Sequence, residues 1–255
     1  MSSDQDPTVR FDGREDDYDR YRPGYPMDVV DLLQGKGLLF PGAKVADIGS
    51  GTGILSAMLM EAGAFVYGVE PNACMRGRAE TRFRECRDFQ SVPARAEVTG
   101  LPDQCVDLIT AAQSFHWFDV ERCRREFKRI LRPQGAVALV WNNRLDEEGD
   151  FNIAYSRMLK DQGVDDSRGG SDEEQLRKIE AFFVGGYEYR EFKNDQSLDL
   201  ASLKGRLRSS SYCPRPDDPA FEPLMRAVDR IFVQHQTNGS VLLRYRTEVY
   251  LGALR

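Results

Sequence analysis

Short apolar runs alternate with amphipathic segments through the first 141 residues of the chain. The apolar runs predict strands near residues 44–48, 65–69, 91–94, 106–111 and 136–141. The segments between them predict helices near 53–62, 72–85 and 120–131, the last of which should close at Pro133 and Gly135. Because strands and helices alternate, the predicted fold class is α/β, with a doubly wound and mostly parallel sheet.

The alternation stops after Trp141. The charged stretch from 146 to 178 predicts a helix, a loop and a second helix, and two strand-like runs follow at 187–192 and 241–251. Residues 1–10 are polar and are expected to be disordered. The predicted organisation is therefore one domain over 11–255, in which residues 145–240 supply a small helical cap and the insertions of a substrate pocket.

Length and composition agree with one such domain, since 255 residues are enough for a single α/β core. The 35 basic and 41 acidic residues give a net charge of −6, which favours neither nucleic acid nor an anionic membrane as a partner. Five cysteines without Cys-x-x-Cys spacing and two histidines predict no metal site. A polar N-terminus and the lack of a long apolar run predict a cytoplasmic protein, whose oligomeric state stays open.

The segment from Asp47 to Gly53 carries the clearest chemical signal, because it sets three alternating glycines between a strand and a helix. Glu70 ends the next apolar run, where α/β folds that bind nucleosides place the acid that holds the ribose hydroxyls. The dinucleotide pattern Gly-x-Gly-x-x-Gly fails at Ile54. Asp47 would also repel a pyrophosphate but suits an ammonium group. The segment therefore favours S-adenosylmethionine over NAD as the cofactor.

In a doubly wound sheet, ligands bind beyond the carboxyl ends of the strands. The candidate cofactor-binding residues follow those strand ends or lie in the Tyr/Arg/Pro segment upstream: Tyr18, Arg22, Asp47, Gly49, Ser50, Gly51, Thr52, Gly53, Glu70, Pro71, Asn72, Met75, Ala96, Glu97 and Gln113.

Several motifs of the chain resemble those of a known family. The glycine-rich segment resembles motif I of the class I S-adenosylmethionine-dependent methyltransferases. The runs 12–14, 18–26, 113–118, 139–144, 209–212 and 245–247 resemble the small-molecule methyltransferases related to trans-aconitate methyltransferase. This resemblance covers most of the chain. It implies a Rossmann-like, seven-stranded sheet with an antiparallel last strand, S-adenosylmethionine as cofactor with S-adenosylhomocysteine as product, and a small-molecule acceptor.

Three residues are candidates for catalysis: His116, Trp117 and Arg144. His116 either takes a proton from a hydroxyl or amine acceptor, or only shapes an aromatic pocket. A carboxylate acceptor needs no base, and arginines such as Arg144, Arg22 and Arg208 would then hold it in bidentate geometry. The candidate substrate-binding residues are aromatic or basic: Tyr25, Phe115, Phe118, Trp141, Arg208 and Tyr212.

The function expected is transfer of a methyl group to a carboxylate or hydroxyl oxygen of a small molecule by direct displacement. Two alternatives remain open. One is methylation of carbon or oxygen on a quinone-like ring, and the other is a module that binds S-adenosylmethionine without turnover.

Overall fold

A computed structural model of the chain describes residues 20–164, 172–210 and 212–254. The strands of the described part are β1 Lys44–Ile48, β2 Phe65–Val69, β3 Phe89–Val92, β4 Val106–Ala112, β5 Leu131–Arg144, β6 Glu188–Lys193, β7 Gln196–Leu198, β8 Val241–Leu243 and β9 Tyr245–Gly252. Seven of them form one sheet in the order β3-β2-β1-β4-β5-β9-β6, and β7 pairs with β8 in a separate small sheet. Within the large sheet, β9 is antiparallel to β5 and to β6, and the pairs from β3 to β5 are parallel.

Helices flank this sheet and build the cap. Their bounds in the described residues are α1 Met27–Gly35, α2 Ile54–Glu61, α3 Ala73–Arg82, α4 Val120–Ile130, α5 Asp150–Asp161, α6 Asp172–Phe182, α7 Leu200–Arg208 and α8 Phe221–His235, with a single 3₁₀ turn at Phe115–Trp117. Side chains cap three of them, since Asn72, Asp119 and Asp199 accept hydrogen bonds from the first turns of α3, α4 and α7. The α2 helix begins instead at Gly53, whose left-handed backbone ends the glycine-rich turn.

The core follows from the apolar runs. β1 is buried over four of its five residues, as expected for a central parallel strand covered on both faces. One apolar cluster includes Ile48, Phe115, Phe127 and Trp141, and a second includes Leu33, Leu59 and other side chains that pack with strands of the same sheet. A third cluster joins α5, α7 and α8 with the small sheet, so the cap has an apolar core of its own.

The predicted α/β fold class is confirmed, including the seven-stranded sheet and the antiparallel last strand that the resemblance implied. Besides β3, which lies two residues earlier than predicted, and β7, which was not predicted, two parts of the sheet differ from the prediction. β5 begins at Leu131, directly after α4, because Leu131 pairs with Val106 before the register shifts. A side chain at Gly135 would lie 2.7 Å from the backbone oxygen of Asp107, so only glycine fits where this irregular stretch passes β4.

The second difference is the run 241–251, which was expected to be one strand. It divides at Arg244 into β8, which pairs with β7, and β9, which enters the large sheet. Asn152 holds this division in place, because its side-chain amide donates to the backbone oxygen of Arg244 and accepts from its nitrogen, each at 3.0 Å. No helix of the described residues is long and apolar enough to cross a membrane. The predictions for residues 1–10 and for Tyr18 concern positions outside the described residues.

Candidate functional site

A pocket opens at the carboxyl ends of β1, β2 and β4. Its walls are Gly49, Gly51, Glu70, Pro71, Asn72, Met75, Arg95, Ala96, Glu97, Ala112, Gln113, Ser114, Trp117 and Phe118. Most of the cofactor residues predicted from the sequence therefore meet in one place. Arg95, Ala112 and Ser114 were not predicted, although each is a sequence neighbour of a residue that was.

The three glycines of the turn play different parts, although all have positive φ: 69° at Gly49, 58° at Gly51 and 82° at Gly53. An added Cβ at Gly49 would lie 2.5 Å from Ser114, and one at Gly53 would lie 2.4 Å from the ring of Phe83. At Gly51 the only atom within 4 Å would be the terminal methyl of Met75, at 3.5 Å. Gly51 thus leaves backbone open to the pocket, whereas Gly49 and Gly53 are closely packed.

Glu70 joins the ends of β1 and β2 through its carboxylate. One oxygen accepts a hydrogen bond from the backbone nitrogen of Gly51 at 2.9 Å, and the other accepts from that of Asn72 at 2.8 Å. Burial raises the pKa of Glu70, against the lowering effect of these two donors and of the Arg76 charge. A carboxylate offers about four acceptor positions, so Glu70 has capacity for further hydroxyl donors after both backbone bonds are made.

Asp47 lies beneath the glycine-rich turn and is not part of the pocket wall. It is 1% exposed, and its carboxylate accepts from the hydroxyls of Ser56 at 2.6 Å and Thr110 at 2.8 Å. Burial raises its pKa, opposed by these hydrogen bonds. The predicted cofactor residues Ser50, Thr52 and Gly53 likewise fall outside the wall. Asp47 therefore ties β1 to β4 and to α2.

The segment after β4 forms the opposite wall. Gln113 has a φ of 56°, a strained value for a residue with a side chain, and its amide donates to the backbone oxygen of Asn142 at 3.1 Å. The Ser114 hydroxyl donates to the backbone oxygen of Ile48 at 2.8 Å, which holds this segment against the end of β1. Trp117 and Phe118, which follow in the chain, are part of the pocket wall.

Two aromatic residues predicted to bind substrate lie in the core instead. Phe115 is fully buried, with its ring centroid 5.0 Å from that of Phe182. Trp141 is 3% exposed and packs edge-on against Phe115 and Tyr250. The 3₁₀ turn directs Phe115 inward, and Trp141 occupies an apolar face of β5, so both rings pack in the core and not in the pocket wall.

The remaining candidates around the site are distributed as follows. His116 is half-buried and is not in the pocket wall, and its ring is tilted by 46° against that of Trp117, with 4.8 Å between the centroids. Arg22 donates to the backbone oxygen of Ser209 at 3.0 Å, and Tyr25 packs on the apolar cluster that contains Leu33. Arg208 is half-buried at the end of α7. None of these residues lines the pocket.

Arg144 and Tyr212 meet in a second polar group inside the cap, which we call the arginine–tyrosine cluster: Arg144, Tyr155, Arg206, Tyr212 and Tyr245. The Arg144 guanidinium pairs with Asp146, lies 5.0 Å from the ring centroid of Tyr155 and donates to the Tyr212 hydroxyl at 3.5 Å. Burial acts to raise the pKa of Tyr212, but the Arg144 and Arg206 charges outweigh it and the pKa is lowered. Arg206 was missed from the sequence, which instead suggested Arg208 two positions later.

A separate cavity lies between α5, α8 and the small sheet, with Asn152, His235 and Arg244 among its walls. It contains none of the predicted site residues, and its position away from the carboxyl ends of β1, β2 and β4 sets it apart from the pocket described above.

Comparison with known proteins agrees with this geometry. Residues 46–139 match the family model described as a methyltransferase domain. An uncharacterized methyltransferase of Mycobacterium tuberculosis is 34% identical over 58% of this chain and 58% of its own length. A probable S-adenosylmethionine-dependent methyltransferase of Saccharomyces cerevisiae is 27% identical over 72% of this chain and 63% of its own length. The chain thus spans less than two thirds of these curated relatives.

Among solved structures, a putative type II methyltransferase from Anaeromyxobacter dehalogenans superposes with a TM-score of 0.64. It is 21% identical, and the match covers 92% of this chain and 98% of that one. The strand order and this superposition show that the chain has the Rossmann-like methyltransferase fold, within which residues 46–139 match the family model.

Proposed function

We propose that this protein transfers the methyl group of S-adenosylmethionine to an oxygen atom of a small-molecule acceptor. The observation that carries the proposal is the open backbone at Gly51 beside the buried carboxylate of Glu70. A Cβ at Gly51 would fill the space that a ligand needs, and Glu70 offers the charged acceptor that suits a pair of ribose hydroxyls. The pocket residues therefore fit this cofactor.

The roles of individual residues follow from their places in the pocket. Glu70 would hold the ribose, Asn72 and Met75 would line the adenine, and Glu97 would accept from the adenine amino group. The open backbone of Gly51 would contact the methionine portion. Asp47 supports that contact from below, because it fixes the turn and adds a negative charge beneath a cationic ligand.

The bound cofactor supplies an electrophilic methyl group on a positively charged sulfur. Transfer of this methyl group to an acceptor oxygen would neutralise the positive charge on the sulfur, so the site residues would have to position the acceptor and tolerate the loss of charge. The apolar wall of Trp117 and Phe118 favours such charge loss, since it excludes water from the reacting atoms. For a carboxylate acceptor no proton has to move. A hydroxyl acceptor needs a general base, and His116, next to Trp117, would take its proton.

The proposal also covers the class of acceptor and the family to which the chain belongs. We place the chain with the small-molecule methyltransferases related to trans-aconitate methyltransferase, on the motifs around Tyr25, His116, Arg144 and Tyr212. The Arg144 guanidinium, held next to Tyr212 in the cap, supports an acceptor that carries a carboxylate.

Calorimetric titration with S-adenosylmethionine and with NAD tests the proposal. The wild type should bind S-adenosylmethionine and not NAD, and Gly51→Val should abolish binding by filling the pocket. Gly37→Val is the matched control, because Gly37 also has positive φ, 69°, and an added Cβ there would meet nothing within 4 Å. This control should bind as the wild type does. Absence of binding to the wild type, or equal binding by Gly51→Val, would contradict the proposal.

A further inference from the structure

We propose that Arg206 anchors the acceptor through an anionic group that is distinct from the oxygen atom methylated. The inference rests on the proposed function and names a specificity-determining residue that the sequence did not indicate. It concerns the arginine–tyrosine cluster, in which Arg206 is the member that lacks a carboxylate partner among the described residues.

Arg206 is buried near tyrosine side chains, and none of the described residues pairs a carboxylate with it. It is 7% exposed, its Nη1 donates to the Ser210 hydroxyl at 2.9 Å, and its guanidinium lies 5.7 Å from the ring centroid of Tyr245. Its Nε is buried and has no hydrogen-bond partner in the described part of the chain. A buried guanidinium with an unused donor is costly for a fold to keep.

The position of the cluster relative to the pocket follows from strand register. Arg144 pairs with Tyr245 across β5 and β9, so Arg206 packs against the carboxyl end of β5 through the Tyr245 ring. Gln113, a residue of the pocket wall, donates to the backbone oxygen of Asn142. Arg144 is two residues beyond Asn142, about 7 Å along the strand. The cluster thus lies on the cap side of the same sheet edge as the pocket.

The anion that Arg206 binds and the oxygen that is methylated are different groups of the acceptor. A carboxylate held by the forks of Arg206 and Arg144 has its lone pairs engaged in charge-assisted hydrogen bonds, which makes it a weak nucleophile. The methyl carbon must be approached in line by a free lone pair. The anchored anion therefore orients the acceptor, and a second oxygen of the same molecule reaches Trp117 and Phe118. The acceptor class is a small acid with a carboxylate and a separate oxygen nucleophile.

The test measures binding and does not require that the natural acceptor be known. The protein saturated with S-adenosylhomocysteine is titrated with each α,ω-dicarboxylate from malonate to adipate and with the matching uncharged diamides. At least one diacid should bind about tenfold more tightly than its diamide. Arg206→Gln should weaken that binding about tenfold or more while leaving the affinity for S-adenosylhomocysteine within about twofold. Arg226→Gln, an exposed change on α8, should bind both ligands as the wild type does.

Arg206→Lys provides a second variant if the glutamine variant does not fold. It keeps the charge but loses the planar fork, so diacid affinity should still fall about fivefold. Wild-type affinity for every diacid no greater than for its diamide would overturn the anchor, and so would an unchanged affinity in the folded Arg206 variants. Failure of the wild type to bind S-adenosylhomocysteine would instead overturn the proposed function on which the anchor rests.

Discussion

Gly51 and Gly53 should respond differently to substitution by alanine. A side chain in the left-handed region costs about 1–2 kcal/mol, and this cost is common to Gly51 and Gly53. At Gly53 the new Cβ also lies 2.4 Å from the Phe83 ring, and such overpacking adds about 1–3 kcal/mol. Gly53→Ala should therefore lower the free energy of unfolding by roughly 2–5 kcal/mol, and Gly51→Ala by only about 1–2 kcal/mol.

Ligand affinity should show the opposite order. The Cβ of Gly51→Ala would point into the pocket, where only the Met75 methyl lies within 4 Å, so S-adenosylhomocysteine should bind about tenfold or more weakly. Gly53→Ala, when folded, should retain more of the affinity because Gly53 is not in the pocket wall. Urea unfolding and calorimetric titration of both variants provide the two measurements. Equal losses of stability, or an unaltered affinity in Gly51→Ala, would refute the distinction between these glycines.

Three further predictions concern titration and side chains near the site. Burial raises the pKa of Asp47, so its contribution to stability is greatest below its ordinary pKa and falls as pH rises through the folded value. Urea unfolding should therefore show the wild type losing stability relative to Asp47→Asn as pH rises above about 4, by up to about 1.4 kcal/mol per pH unit, and a relative gain would contradict this. Trp117→Ala should weaken S-adenosylhomocysteine binding about tenfold in calorimetry, because it removes part of the pocket wall. His116→Gln should change that affinity less than about twofold, because His116 is not in the wall. The reverse order would indicate that the His116 imidazole contacts the cofactor. Burial, reinforced by the Glu97 charge, raises the pKa of the Cys123 thiol. An aromatic disulfide reagent should therefore label the exposed Cys74 quickly in the native protein and Cys123 only after denaturation. Rapid labelling of Cys123 in a native Cys74→Ser variant would contradict this burial.

The cofactor side of the site could be anticipated from the sequence because its geometry is local. A strand, a turn with three positive-φ glycines and a helix follow one another within residues 44–61, and Glu70 ends the next strand. Once the sheet is parallel, these ends meet at one edge. The roles assigned to them in binding stay predictions, whereas the fold that brings them together is confirmed.

The acceptor side could not be anticipated in the same way, since it depends on packing between distant segments. Phe115 and Trp141 are apolar aromatics that suit either a pocket or a core, and only the tertiary structure shows that the core takes them. Arg206, in contrast, was not predicted as a site residue. A charged residue on an amphipathic helix is expected to face solvent, but Arg206 is buried, with the ring centroid of Tyr245 5.7 Å from its guanidinium.

The most direct test of the central claim is a crystal structure of the protein grown with S-adenosylhomocysteine. The account predicts electron density for the ligand between Glu70 and Trp117, with both ribose hydroxyls on the Glu70 carboxylate and the homocysteine portion against the Gly51 backbone. Density for the ligand in the separate cavity beside His235 and Arg244, with the pocket at Glu70 empty, would contradict it.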